Sequence, residues 1–123
     1  MKFTRENVFS VYKILTEATG GTVGVRDEGL LLSALEAPYQ SFGGEDLFPS
    51  LLEKAVRLGY GLVANHPFID GNKRIGILVM LTFMELNGIN VEFTDDEVID
   101  MALGVASGKY KYEDLLNIVS DKL

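Results

Sequence analysis

The chain has 123 residues, and its 11 basic and 18 acidic side chains leave a formal charge of −7 at neutral pH. That length suits one domain with a core of its own, and 47% hydrophobic with 24% charged residues is ordinary globular composition that argues against disorder. The absence of cysteine excludes a disulfide framework, and the acid excess argues against nucleic acid as the main ligand, although a local basic spot remains free to hold a phosphate.

Read from the start, the chain predicts helices throughout and an all-α, single-domain bundle over residues 1–123. A first helix is expected from about Thr4 to Ala18, with Val8, Val11, Tyr12 and Leu15 at helical spacing, ended by Gly20 and Gly21. Asp27 is the expected N-cap of a second helix carrying Leu30, Leu31, Ala34 and Leu35, closed by Pro38. The stretch 39–48, with two glycines, two acids and three aromatics, reads as an irregular surface loop or a short hairpin. Pro49 suits the first turn of a third helix, which must stop near Asn65 because Pro67 disfavours helical geometry at His66.

The fourth helix is expected over about 71–87, with Gly88 as its stop. It is apolar on nearly every face and should lie at the centre of the bundle. Thr94 with Glu97 forms a capping-box signature for a fifth helix, whose inner face is Val98, Met101, Ala102 and Val105. After Gly108 a last helix carries Leu115, Leu116 and Val119. The run Ile75 to Met84 is too short to span a bilayer, so no membrane span is expected. Residues 1–7 are polar and lack an apolar signal core, which makes the cytoplasm the expected location.

One segment stands apart: His66-Pro67-Phe68-Ile69-Asp70-Gly71-Asn72-Lys73-Arg74, at the mouth of the most apolar helix and holding the chain's single histidine. A helix N-terminus offers unpaired N–H groups and about half a positive charge, which makes it an anion site before side chains are counted. Lys73 and Arg74 add cations where they disfavour the helix alone, a placement that makes sense if an anion binds. Gly71 permits a left-handed turn or close approach of a ligand. Asp70 is a hard oxygen ligand for Mg²⁺, and His66 a base that works near neutral pH. The plain reading stays open beside this one: Asp70 turning the chain or capping the helix, His66 a half-buried imidazole, Lys73 and Arg74 solvated.

Other constellations are absent. The chain has no G-x-x-x-x-G-K-[ST] phosphate loop, no G-x-G-x-x-G fingerprint and no G-x-S-x-G elbow. One histidine and no cysteine nearly exclude structural zinc. Phe9, Tyr12, Tyr60 and Phe83 lie at core spacing.

The nine-residue segment matches H-x-F-x-[DE]-[GA]-N-x-R through His66, Phe68, Asp70, Gly71, Asn72 and Arg74, and on it the chain resembles the Fic/Doc family. The stretch from Gly24 to Leu35 also looks like the upstream helix of Doc proteins, so the similarity covers nearly the whole chain. The resemblance implies a fold built around the motif helix and a Mg-ATP-dependent transferase. His66 would be the general base on a target hydroxyl and Asp70 the Mg²⁺ ligand. Gly71 and Asn72 would cradle phosphates, and Arg74 would clamp one. Phe68 would anchor the loop in the core, and 39–48 would be a flap that aligns the target.

Lys73 separates two reactions within that resemblance. AMP-transferring Fic enzymes usually have glycine there, whereas Doc-type toxins have lysine, hold the nucleotide in the reverse sense and transfer the γ-phosphate. The phosphorus in line with the hydroxyl is the one attacked. The chain therefore resembles a protein kinase of Doc type, for which the expected target is a threonine of elongation factor Tu and the consequence is inhibited translation. AMP transfer and a non-catalytic, partner-binding protein are the alternatives. The self-inhibitory pattern [ST]-x-x-x-E-[GN] of many Fic proteins is absent, which points to a separate Phd-like antitoxin docking a helix into an apolar groove.

Overall fold

In a computed structural model the structure describes residues 2–123; Met1, the first residue of the polar segment 1–7, lies outside the described residues. Six helices follow in order: α1 Arg5–Ala18, α2 Glu28–Glu36, α3 Leu51–Asn65, α4 Asn72–Leu86, α5 Asp95–Ala106 and α6 Tyr112–Ser120. The architecture is helical, as expected. Between α2 and α3 lie a 3₁₀ turn, Ala37–Tyr39, and a two-stranded antiparallel hairpin, β1 Ser41–Phe42 and β2 Glu45–Asp46.

Capping explains most boundaries. Thr4, Ser50 and Thr94 each accept a hydrogen bond from the backbone N–H three residues on, with Asn7, Glu53 and Glu97 returning the bond to the cap backbone. Asp27 accepts from Leu30 N–H at 3.0 Å, as its position promised. One expectation fails: Pro49 lies outside α3. Ser50 takes the N-cap because a side-chain oxygen aimed at Glu53 N–H satisfies an orphan donor, which a proline in the first turn does not do. The reading of 39–48 resolves in favour of the hairpin, whose four strand residues are exposed.

α4 is the axis of the molecule. Ile75, Gly76, Ile77, Val79, Met80, Phe83 and Met84 are buried along it, and no other helix pair packs as extensively as α3 and α4. Its crossing with α3 is close because both helices present glycine there. A Cβ on Gly76 would lie 2.3 Å from Val63 Cγ2 and 2.9 Å from the Gly59 carbonyl oxygen. Tyr12 of α1, Leu31 of α2, Met101 of α5 and Leu115 of α6 close the core around this pair. Among the described residues no helix is long and apolar enough to cross a membrane.

Gly76→Ala is expected to destabilise the fold by about 1–3 kcal/mol through overpacking at this crossing. The measurement is urea unfolding, where a lowered midpoint with unchanged slope supports the account and an unshifted midpoint sinks it.

Candidate active site

The α3–α4 connection is short and forced into an unusual path. His66 caps α3 in the left-handed conformation, with φ 50° and ψ 52°, the one positive φ at a non-glycine among the described residues. A residue before proline is disfavoured in helical geometry, so α3 ends at Asn65 as expected, by way of this turn. Pro67 and Phe68 then pass into the interior. The Phe68 ring stacks on Tyr12 with centroids 3.8 Å apart and planes 13° from parallel, which fixes the loop in the core.

Asn72, 8% exposed, opens α4. Its side-chain Oδ1 accepts from Phe68 N–H at 2.8 Å, and its Nδ2 donates to the Phe68 carbonyl at 2.9 Å. The amide expected to cradle phosphates is thus committed to shaping the loop. Gly71 sits between at φ 82°, and a Cβ there would meet Thr16 Oγ1 at 3.1 Å. It therefore stands where a side chain would be both strained and crowded. Asp70 does not cap α4. Its Oδ1 accepts from the adjacent Gly71 N–H at 2.9 Å, and Oδ2 has no hydrogen-bond partner among the described residues.

These turns open a cleft of about 730 Å³ lined by Arg26, His66, Phe68, Ile69, Asp70, Gly71, Asn72, Lys73 and Arg74. All the residues singled out in the sequence come together in it. His66 is exposed, which removes the half-buried-imidazole reading. Lys73 and Arg74 are exposed, and among the described residues neither makes an ion pair or hydrogen bond. The first turn of α4 holds no acid and its N-cap no capping side chain, whereas every other α-helix has an acid in its first turn. The N–H groups, the dipole and two unneutralised cations all favour an anion at this end.

Metal chemistry is more limited. Among the described residues no group of three or more His, Cys, Asp or Glu side chains forms a metal cage. Asp70 alone supplies one carboxylate, which fits Mg²⁺ held jointly with phosphate oxygens and water.

One lining residue was not foreseen. Arg26 donates from Nε to the His66 carbonyl at 2.8 Å and from Nη2 to the Asn65 carbonyl at 3.2 Å. Its position just before the Asp27 N-cap carried a signal of the same kind as Lys73 and Arg74, a cation at the positive end of a helix.

The hairpin stands on a half-buried foot. Lys54 bonds the Phe48 carbonyl and lies 3.5 Å from an Asp46 carboxylate oxygen. Arg57 lies between the Phe48 and Tyr60 rings, 5.8 and 5.5 Å from their centroids. Burial holds its guanidinium below its ordinary value. Burial, with the nearby Glu53 carboxylate, pushes the Tyr112 phenol up to about 12.

The Fic/DOC family model matches residues 2–84, a span that includes this whole cleft. The chain belongs to the Fic/Doc family. It is also 37% identical over 105 residues to Toxin Doc of Mycolicibacterium smegmatis, across 84% of this chain and 78% of that protein. The family match thus coincides with the elements that build the cleft, from α1 into the last turn of α4 with the connections between them, and leaves out α5 and α6.

Asn72→Ala should cost about 1–3 kcal/mol, because it leaves the buried N–H and C=O of Phe68 unpaired. Denaturant unfolding and faster hydrogen exchange at the Phe68 amide would register this; full protection at that amide in the variant would refute it.

Proposed function

We propose that the protein is a Doc-type toxin, a protein kinase that transfers the γ-phosphate of Mg-ATP to a hydroxyl of a target protein. The observation that carries the proposal is the pair of unneutralised cations, Lys73 and Arg74, at an α4 N-terminus without a capping side chain, with His66 lining the same cleft. The triphosphate lies against the α4 N–H groups, Lys73 and Arg74. Asp70 would hold Mg²⁺, which when bound would supply charge neutralisation on the transferring group. His66 takes the proton of the target hydroxyl as its oxygen attacks the γ-phosphorus. The bond from that phosphorus to the bridging oxygen breaks, and ADP leaves carrying that oxygen. Gly71 keeps the backbone close to the nucleotide, and Asn72 acts by holding the loop that carries these groups.

The toxin assignment rests on the similarity to Toxin Doc. The target is proposed to be elongation factor Tu, modified on a threonine so that translation stops. A Phd-like antitoxin helix neutralises the enzyme, and both work in the cytoplasm. The runner-up is AMP transfer, from the family as a whole; Lys73 in the cleft favours the γ-phosphate.

The deciding experiment incubates the protein with Mg²⁺ and elongation factor Tu, using ATP labelled at the γ-phosphate or at the α-phosphate. Label from the γ position on the factor is expected, falling by about 10²–10⁴-fold in His66→Ala. Label from the α position would establish AMP transfer. Label from neither would overturn both enzymatic readings for this target.

Lys73→Gly is expected to shift label from the γ toward the α position, because it removes the cation that orders the triphosphate. Unchanged γ transfer in that variant would overturn the role given to Lys73.

A further inference from the structure

The left-handed turn at His66 has no glycine to relieve it and is followed by proline, so the fold must hold it from outside. The segment between α1 and α2 does this. Val25 and Phe68 form an antiparallel bridge, and Ile69 N–H donates to the Gly24 carbonyl at 2.9 Å. Arg26 and Asp27 N–H groups both donate to the Pro67 carbonyl, at 2.7 and 3.1 Å. That segment is itself registered by Tyr12, whose hydroxyl donates to the carbonyl of Thr22 or Gly24, both 3.2 Å away, and accepts from Gly24 N–H at 3.0 Å. Among the described residues, the one side chain that hydrogen-bonds the turn's own carbonyls is that of Arg26, which forks onto those of Asn65 and His66.

We infer that Arg26 is a positioning residue: its guanidinium locks the His66 backbone in the left-handed turn and so aims the imidazole across the cleft. Arg26 lines the same cleft as the two free cations, yet two faces of its fork are already occupied by carbonyl oxygens. This distinguishes it from Lys73 and Arg74, which have no ion pair or hydrogen bond among the described residues, and assigns it to the base rather than to the anion. A lysine in its place would present one point donor where a planar fork meets two acceptors. The catalytic side of this inference rests on His66 being the general base of the proposed reaction; the structural side does not.

The test uses the fact that His66 is the single histidine of the chain. Selective ¹⁵N-histidine labelling therefore gives one backbone amide signal, readable without turnover or nucleotide. In Arg26→Gln the signal is expected to move and broaden, while a uniformly ¹⁵N-labelled sample of the same variant keeps the dispersed amide spectrum of a folded chain. Arg26→Lys should lie between Arg26→Gln and the parent. With ATP and elongation factor Tu, Arg26→Gln should lower kcat by roughly 10²-fold, as a misplaced catalytic group does, with KM for ATP little changed. An unmoved amide signal overturns the inference. A raised KM for ATP with an unmoved signal would make Arg26 an anion ligand instead. If the parent protein transfers no label but the signal moves, the locking role stands and the reading of His66 as base falls.

Discussion

Asn72 bonds through its amide to both backbone polar groups of Phe68, and that small closed ring decides what the rest of the cleft can be. It ties the Phe68 backbone, in the loop between α3 and α4, to the first residue of α4. Phe68 must enter the core, where it meets Tyr12, so the residues on either side are thrown outward. His66 and Ile69–Asp70 reach the surface because Pro67 and Phe68 are drawn inward. The same amide is the first residue of α4, so the ring also fixes where the helix begins and which N–H groups stand free.

The central helix would be an ordinary buried rod without this arrangement. Its apolar faces are used up against α3, α1 and α5, and its stability comes from packing rather than from its ends. That division of labour frees the N-terminus. α1, α3 and α5 each begin with an oxygen side chain at the cap, and every helix but α4 has an acid in its first turn. α4 has a left-handed glycine as its N-cap and, after Asn72, a lysine and an arginine in its first turn, an arrangement unfavourable to the helix and favourable to an anion. The Thr16 hydroxyl, buried behind Gly71 without a hydrogen-bond partner among the described residues, is a second local cost at the same place.

Much of this was legible in the sequence because it is local. Helical spacing, Gly20–Gly21, the Asp27 cap and the Thr94–Glu97 box set boundaries within a few residues of themselves, and the structure follows them. The cations at Lys73 and Arg74 were legible for the same reason, as a conflict between side chains and dipole inside one turn. What stayed hidden acts over distance or by competition. Ser50 displaced Pro49 from the start of α3 because a capping oxygen and a proline both suit that region, and only geometry ranks them. The split roles of Asn72 and Arg26 depend on partners brought in by the fold. For Arg26 they lie 39 and 40 residues away, and no spacing rule reaches so far.

Departures from local rules are not spread evenly over the molecule. The left-handed histidine, the uncapped α4, the cations unneutralised among the described residues and the orphaned threonine hydroxyl lie within one cleft and its floor, whereas away from it the buried Arg57 Nη1 is the other side-chain atom left without a hydrogen-bond partner among the described residues. A fold retains such costs where other contacts over-determine them. Here those contacts are the Asn72–Phe68 ring, the Tyr12 stack and the 24–27 segment laid against 66–69. An acid in the first turn of α4 would relieve the helix and fill the anion site in the same stroke. Its absence, in a chain with seven more acids than bases, makes the exposed charge at this end a property of the cleft rather than of the composition.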